Sequence, residues 1–316
     1  MENLLGDASA VQRSRAGLTL PSRMADFSHQ RFRTDCSAAR AILERHARSF
    51  LLGFDLAVAH WRAPHEVLRE VPDEERGFAY EGAGMFAGLV DLGSAGRANA
   101  LARLLAGEGD CYAHLVHVGA GWLFTMARLP ALVRLPGTPL LRWLAADGCG
   151  FGEVYFGGLR ALRRRAGQRP SPRWEARLAG NGRALWFVEC ADPAGIAAVI
   201  EATPAAARPH LWSGVGLAAA YAGAVDDAGR QQLVSAAGAT HQPFFLQGVT
   251  FAAGARVRAG VVPDYTERAC TQLLGVDAAR AAQWTDQMSA DLLTSREIGA
   301  YREWKARLRR LLADRS

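Results

Sequence analysis

Glu81-Gly-Ala-Gly-Met85 is the stretch around which the chain is organised, because its pattern returns 132 residues later as Ser213-Gly-Val-Gly-Leu217. A proline stands nine residues before each copy, Pro72 before the first and Pro204 before the second. A shared spacing of this kind indicates an internal repeat, and a repeat determines the fold of the whole chain. We therefore predict a tandem duplication.

Helical periodicity dominates the sequence, and alternating β-branched segments are nearly absent. The expected fold class is mostly α, with antiparallel helix-pair repeats arranged as two pseudo-equivalent halves, roughly 34–160 and 166–292. The expected organisation is a flexible N-terminal arm (1–30), a first helical half (31–160), an arginine-rich linker (161–183), a second helical half (184–295) and a C-terminal basic helix (296–316).

The glycine pairs allow three interpretations. A dinucleotide-binding turn would follow a buried strand and would be followed by an acidic residue about 20 positions later, and neither copy has a clear strand before it. Close approach of two helices is the structural alternative, since glycine has no Cβ. Glycine and alanine could also leave room for a ligand along an apolar channel. The last two interpretations are compatible.

Composition is that of a globular protein, with 50% hydrophobic residues and a formal net charge of +6. Among the 37 basic residues only Lys305 is a lysine. The basic excess lies in 160–183 and 302–310, where we expect a solvated face or a docking surface for an acidic protein, without nucleic-acid binding.

The cysteines and the N-terminal residues indicate in which cellular compartment the protein is expected. The five cysteines are odd in number and widely spaced, which fits neither a disulfide framework nor a zinc site and is typical of a reducing cytoplasm. Residues 1–20 lack a signal-peptide pattern, and the longest apolar run, 112–127, is shorter than the roughly 20 residues of a membrane span. We expect a cytoplasmic protein that does not enter a membrane.

Two carboxylates stand in apolar, glycine-rich surroundings and are the predicted catalytic residues. Glu153 lies in Gly150-Phe-Gly-Glu-Val-Tyr-Phe156, and Glu81 precedes the first glycine pair. Burial raises the pKa of a carboxyl, as acid–base chemistry at neutral pH requires. A structural cap or hydrogen bond is the alternative role for Glu153. The second glycine copy has Ser213 in place of Glu81, so the two halves differ at this position.

Other polar residues in apolar segments are candidates for substrate binding, namely His117, Tyr155, His241, Gln242 and Gln247. His114 and His117 share one helix face, but no third ligand stands at a metal-binding spacing, so they are more typical of core histidines. The polar residues around Pro243 could equally cap a helix. No cofactor or metal motif is visible, and no hydrolase signature is present.

Four stretches together resemble a bacterial family of unknown function, domain-of-unknown-function family 1702, found in enediyne polyketide gene clusters. They are Glu81–Met85, Asp147–Phe156, Leu185–Val188 and Leu211–Gly223. The resemblance spans roughly residues 34–292. It implies a role in making or handling an enediyne-type or polyene polyketide, and it supplies no catalytic residue.

Two functions are therefore expected. The first is an accessory or tailoring protein of polyketide biosynthesis that binds a long apolar polyene between its halves. The polyene would be free or carried by an acyl carrier protein or synthase, with proton transfer or cyclisation as the chemistry if the chain is an enzyme. The second is a non-catalytic helical-repeat scaffold, or a protein that sequesters the product. Polar groups converging on an internal pocket would favour the first.

Overall fold

The fold is entirely helical wherever the structure describes it. A computed structural model describes residues 18–126 and 135–315. These contain no β-strand and 14 α-helices, so the predicted all-α class is confirmed. The helices are α1 (Phe27–Gln30), α2 (Ser37–Ala59), α3 (Pro64–Leu68), α4 (Asp73–Gly93), α5 (Ala100–Leu104), α6 (Ala113–Met126), α7 (Leu144–Ala166), α8 (Pro172–Val188), α9 (Pro193–Glu201), α10 (Arg208–Tyr221), α11 (Asp227–Arg258), α12 (Asp264–Leu274), α13 (Ala278–Ser289) and α14 (Ile298–Ala313).

Local sequence signals set several helix starts. Ser171, Asp192 and Asp226 each accept a hydrogen bond from a backbone N–H in the first turn of α8, α9 and α11. Proline occupies the first position of α8 and α9, where no intrahelical N–H bond is lost. None of the described helices is both long enough and apolar enough to cross a lipid bilayer.

Seven long helices form one array in which each helix packs against the next along the chain. They are α2, α4, α6, α7, α8, α10 and α11. Neighbours are antiparallel, and the shorter helices lie in the connections or at the end of the array. Buried side chains from Ala25 to Leu312 join in one continuous apolar core, so the two predicted halves share it.

A single rule of glycine packing governs all six interfaces of this array. Each glycine lies against the backbone carbonyl of the residue three positions before its partner glycine, and the partner does the same in return. Gly119 thus contacts the carbonyl of Glu81, while Gly84 contacts that of Val116. A Cβ at these positions would collide with the neighbouring backbone. The interpretation of the glycine pairs as sites of close helix approach is therefore confirmed.

Five consecutive helices carry such a pair, one glycine for each neighbour. The pairs are Gly82/Gly84, Gly119/Gly121, Gly148/Gly150, Gly180/Gly182 and Gly214/Gly216, and single glycines, Gly53 and Gly248, serve the two end helices. The repeat is thus finer than two halves. The 132-residue duplication stays a prediction, because the glycine pair that suggested it recurs on every inner helix.

The array curls until its ends meet. His46 on α2 has its Nε2 3.0 Å from the carbonyl oxygen of Ala222, at the end of α10. Arg256 on α11 donates hydrogen bonds to the carbonyl oxygens of Glu74, at the start of α4, and of Tyr221. The helices therefore enclose an interior, and this interior holds the candidate site.

The division of the chain into segments stays a prediction, and the structure adds detail at two of them. In the predicted N-terminal arm, Phe27 is fully buried and contacts the rings of Phe32 and Phe187, and Asp26 caps α1. The predicted linker, 161–183, is helical except for a short connection between α7 and α8, and Trp174 within it is buried. The many arginines of this segment make the apolar faces of α7 and α8 difficult to recognise in the sequence.

The predicted C-terminal basic helix corresponds to α14, which contributes buried side chains to the core as well as positive charge to the surface. Tyr301, Trp304, Lys305 and Leu308 are buried on its inner face. The Trp304 indole donates to the carbonyl oxygen of Thr285, which fixes α14 against α13.

Two alanine substitutions in the same helix test the packing rule. A Cβ at Gly84 would lie 2.5 Å from the Val116 carbonyl oxygen, whereas a Cβ at Gly88, one turn later, would lie 3.6 Å from Ala120 Cα. We expect Gly84→Ala to lower the free energy of unfolding by about 2–3 kcal/mol through overpacking. Gly88→Ala should be neutral or stabilising by up to about 1 kcal/mol. Urea unfolding measures both, and equal losses would contradict the rule.

Candidate functional site

The interior of the array contains a narrow cavity of about 50 Å³. Six of the seven array helices contribute to its wall, together with Met24 from the N-terminal segment. Seven of its 16 lining residues are Phe, Tyr or Trp, namely Phe50, Phe78, Trp122, Phe151, Tyr155, Phe187 and Tyr221. We call this space the aromatic cavity.

The aromatic rings hold one another in fixed orientations. Trp122 lies between Phe50 and Phe151, with ring centroids 4.6 and 4.8 Å away. Tyr221 meets Phe78 edge to face at 5.3 Å. Aromatic faces carry negative potential, so a cation formed inside this cavity would be stabilised by roughly 0.5–2 kcal/mol for each well-placed ring.

Glu81 brings a carboxyl group into this apolar wall. Its side chain lines the cavity, and Trp122 Nε1 donates to its Oε1 at 2.9 Å. Burial raises the pKa of Glu81, and the positive charge of Arg183 opposes this only in part. A protonated carboxyl in an apolar cavity can serve as a general acid.

A buried ion pair lies beside Glu81. Arg183, on α8, lines the cavity, and its Nε donates to Asp147 Oδ1 at 2.8 Å. Burial alone would lower the pKa of Arg183, but Asp147 and Glu81 raise it above its ordinary value. Arg183 pairs with Asp147, and among the described residues no basic nitrogen lies within 4.0 Å of the Glu81 carboxyl oxygens.

A second ion pair lies at the wall, between His46 and Glu75. The imidazole Nδ1 is 2.9 Å from Glu75 Oε2, and Nε2 is 3.0 Å from the Ala222 carbonyl oxygen. The imidazole thus lies between the Glu75 carboxylate and the end of α10. Burial would raise the pKa of Glu75, but the hydrogen bond and charge of His46 outweigh it and lower that pKa to about 2.

Of the predicted site residues, Glu81 and Tyr155 come together at the cavity. The Tyr155 hydroxyl donates to the Met24 carbonyl oxygen at 2.7 Å, which ties the N-terminal segment to the cavity wall. Burial raises the pKa of this phenol well above its ordinary value, so it remains protonated.

Glu153 lies outside the cavity. Its carboxylate pairs with Arg165 and, at 3.3 Å, with Arg177. It sits on the same helix as Tyr155 but on another face, because residues two positions apart point in different directions. The arrangement corresponds to the structural alternative for this residue. Its predicted catalytic role stays a prediction that the geometry does not favour over Glu81.

The remaining predicted residues also lie away from the aromatic cavity. His117 has its ring nitrogens 2.7 and 3.0 Å from the carbonyl oxygens of Ala113 and Pro136, and burial lowers its pKa. Gln247 is buried between the Ser213 hydroxyl and Arg309. His241 and Gln242 are half-buried on α11, where the His241 Nδ1 is 3.2 Å from the Ala237 carbonyl oxygen.

Arg183, Asp147 and Trp122 are the residues of the site that sequence reasoning missed. Each immediately precedes or follows a glycine pair: Asp147 comes before Gly148/Gly150, Trp122 follows Gly119/Gly121, and Arg183 follows Gly180/Gly182. Residues before and after a pair are four positions apart and share a helix face. The recurring glycine pair was thus the available signal.

Comparison with known proteins identifies the family to which this chain belongs. A family model described as "Protein of unknown function (DUF1702)" matches residues 10–312. The chain belongs to this family. No curated protein and no solved structure matches it.

Opposite pH dependences should distinguish the two buried glutamates. The folded-state pKa of Glu81 is raised, so its contribution to stability is present below the unfolded pKa of about 4.5 and is lost as the pH rises through the folded value. Gln retains the acceptor for Trp122 without a charge. The stability of Glu81→Gln relative to the unchanged protein should therefore increase from pH 4 upward.

Glu75→Gln is the matched variant, with the opposite sign. The folded pKa of Glu75 is lowered, so its stabilisation is present above about pH 4.5 and is lost as the pH falls towards 2. At pH 7 we expect a loss on the order of 3 kcal/mol, because Gln cannot replace the buried carboxylate that His46 contacts. Urea unfolding at several pH values measures both, and parallel pH trends would contradict the assignment.

Proposed function

We propose that this member of the DUF1702 family binds a thin, apolar, conjugated chain in the aromatic cavity and transfers a proton to it from Glu81. The observation that supports the proposal is a buried carboxyl group, with a raised pKa, in a cavity wall where seven of the 16 residues are Phe, Tyr or Trp. Acid chemistry on an apolar substrate requires a protonated acid, exclusion of water and stabilisation of a cation, and these three features meet here.

The proposed step is balanced without any further reactant. The Glu81 proton adds to one carbon of a C=C bond, whose π electrons form the new C–H bond and leave a cation delocalised over the remaining double bonds. The aromatic faces stabilise that cation. Loss of a proton from a neighbouring carbon to the Glu81 carboxylate gives an isomer. Attack by a second C=C bond before proton loss gives a ring.

The substrate class is the finer part of the proposal. The resemblance to proteins of enediyne polyketide clusters supports a polyene intermediate and an accessory or tailoring role in that biosynthesis. Delivery by an acidic acyl carrier protein fits the exposed arginines near the end of α7, Arg160, Arg163 and Arg164. The alternative of a solid helical scaffold is less favoured because Glu81 faces a narrow cavity at the centre of the array. Sequestration of a product without chemistry would use the same cavity.

Binding is tested with methyl parinarate, a thin conjugated tetraene whose fluorescence rises in apolar surroundings. Ala47 lines the cavity on α2, whereas Ala41 is exposed on the same helix. We expect Ala47→Phe to weaken binding at least about tenfold by filling the cavity, and Ala41→Phe to leave it unchanged. Equal affinities in the two variants would place the ligand elsewhere.

Proton transfer is tested by incubating the same tetraene with the protein in D₂O and measuring deuterium uptake and isomerisation by mass spectrometry and absorbance. Glu81→Gln should retain binding and lose exchange by about 100-fold or more, since it removes the acid. Binding without exchange in the unchanged protein would favour sequestration. If Glu153→Gln lost exchange while Glu81→Gln retained it, the acid would be Glu153.

A further inference from the structure

The chain has one lysine, and that lysine is buried. All the other Lys and Arg positions of the sequence are arginines. Lys305 lies on α14 with only 7% of its surface exposed. Arginine cannot lose its proton in a protein, whereas a lysine amine can. Lys305 therefore differs from the arginines, because its amine can become neutral and nucleophilic.

Lys305 stands between a surface groove and an inner chamber. The groove runs between α8 and α14 and includes His210, Phe244 and Arg309. The chamber, about 60 Å³ in volume, is lined largely by apolar side chains such as Leu115, Leu144 and Phe251. Lys305 and Tyr301 line both spaces, so the amine lies where a ligand entering from the surface would meet the chamber.

The surroundings of the amine favour its neutral form. Across residues 18–126 and 135–315, no carboxylate oxygen lies within 4.0 Å of its nitrogen. Asp147, which shares the chamber, is engaged by Arg183. Burial lowers the pKa of Lys305 to about 8, against the smaller opposing effect of Asp147. The Tyr301 ring lies 5.3 Å from the nitrogen and fixes the side chain along the wall.

We propose that Lys305 is a covalent binding site for an apolar aldehyde or ketone, held as an imine with its tail in the inner chamber. The amine lone pair attacks the carbonyl carbon and forms a C–N bond, and the carbonyl π electrons move to the oxygen. That oxygen takes up a proton, the nitrogen loses one, and the carbinolamine then expels water to leave C=N. The sum is amine plus carbonyl giving imine plus water, with no oxidant or reductant.

This site is separate from the aromatic cavity. Arg183, Leu217 and Tyr221 lie between the two spaces and line both. The assignment of Lys305 rests on the groove, the chamber and the amine alone. It does not depend on what the aromatic cavity binds or on Glu81, and the experiments on the two sites fail independently.

The single lysine makes the test specific. The full chain is incubated with octanal and sodium cyanoborohydride, which reduces an imine to a stable amine, and the modified peptide is identified by mass spectrometry. The α-amino group at the N-terminus is an internal reference, since its ordinary pKa is close to that of Lys305. We expect Lys305 to be modified at least about tenfold faster than this group, because the chamber binds the alkyl tail.

Glyoxylate, a small charged aldehyde, is the matched probe. It should modify Lys305 no faster than the α-amino group, since the chamber offers it no apolar binding. The variant Lys305→Arg should lose the octanal adduct at this position and retain the one at the N-terminus. Equal modification of the two amines by octanal, or glyoxylate reacting with Lys305 as fast as octanal, would overturn the proposal, and both results come from the unchanged protein.

Discussion

The reciprocal contact between a glycine and a backbone carbonyl is the constraint on which the rest of this structure depends. It occurs at all six interfaces of the seven-helix array. Glycine costs about 0.5–1 kcal/mol in helix stability relative to alanine, so its repeated use inside helices requires a gain elsewhere. That gain is closer backbone packing, with more dispersion contact and Cα–H···O interactions between helices. Since every contact is mutual, it also fixes the register of each pair.

The same contact determines what faces the interior. The two glycines of a pair point towards the two neighbouring helices, so the residues before and after the pair point towards the centre. Glu81, Val118, Asp147, Ala179 and Ser213 stand in the first position, and all line one of the two interior spaces. Trp122, Phe151, Arg183 and Leu217 stand in the second position and line the aromatic cavity, whereas Met85, the fifth residue in that position, is buried and lines neither space. The same five-residue pattern thus determines both how the helices pack and which side chains line the interior.

Charge inside the array is arranged so that the pKa of one acid is raised. Arg183 pairs with Asp147, and His46 pairs with Glu75, within the core. Among the described residues Glu81 receives a hydrogen bond from Trp122 and forms no ion pair, so burial raises its pKa. Unpaired charges in such a place would cost several kcal/mol each. The pairs therefore hold charged residues beside the cavity without forming an ion pair to Glu81.

Sequence alone predicted the all-α class, close helix packing as one of three interpretations of the glycine pairs, and Glu81 as one of two candidate acids. These depend on local periodicity and on a short motif. It did not separate Glu81 from Glu153, since both lie in apolar, glycine-rich segments.

Tertiary structure places the two carboxylates in different surroundings. Arg165 and Arg177, from the end of α7 and from α8, reach Glu153 and pair with it, whereas α6 brings Trp122 to Glu81. It also buried Lys305 in a helix whose sequence reads as a basic surface. Local sequence shows which face of a helix is apolar. The partners that a polar group on that face contacts depend on the curvature of the whole array.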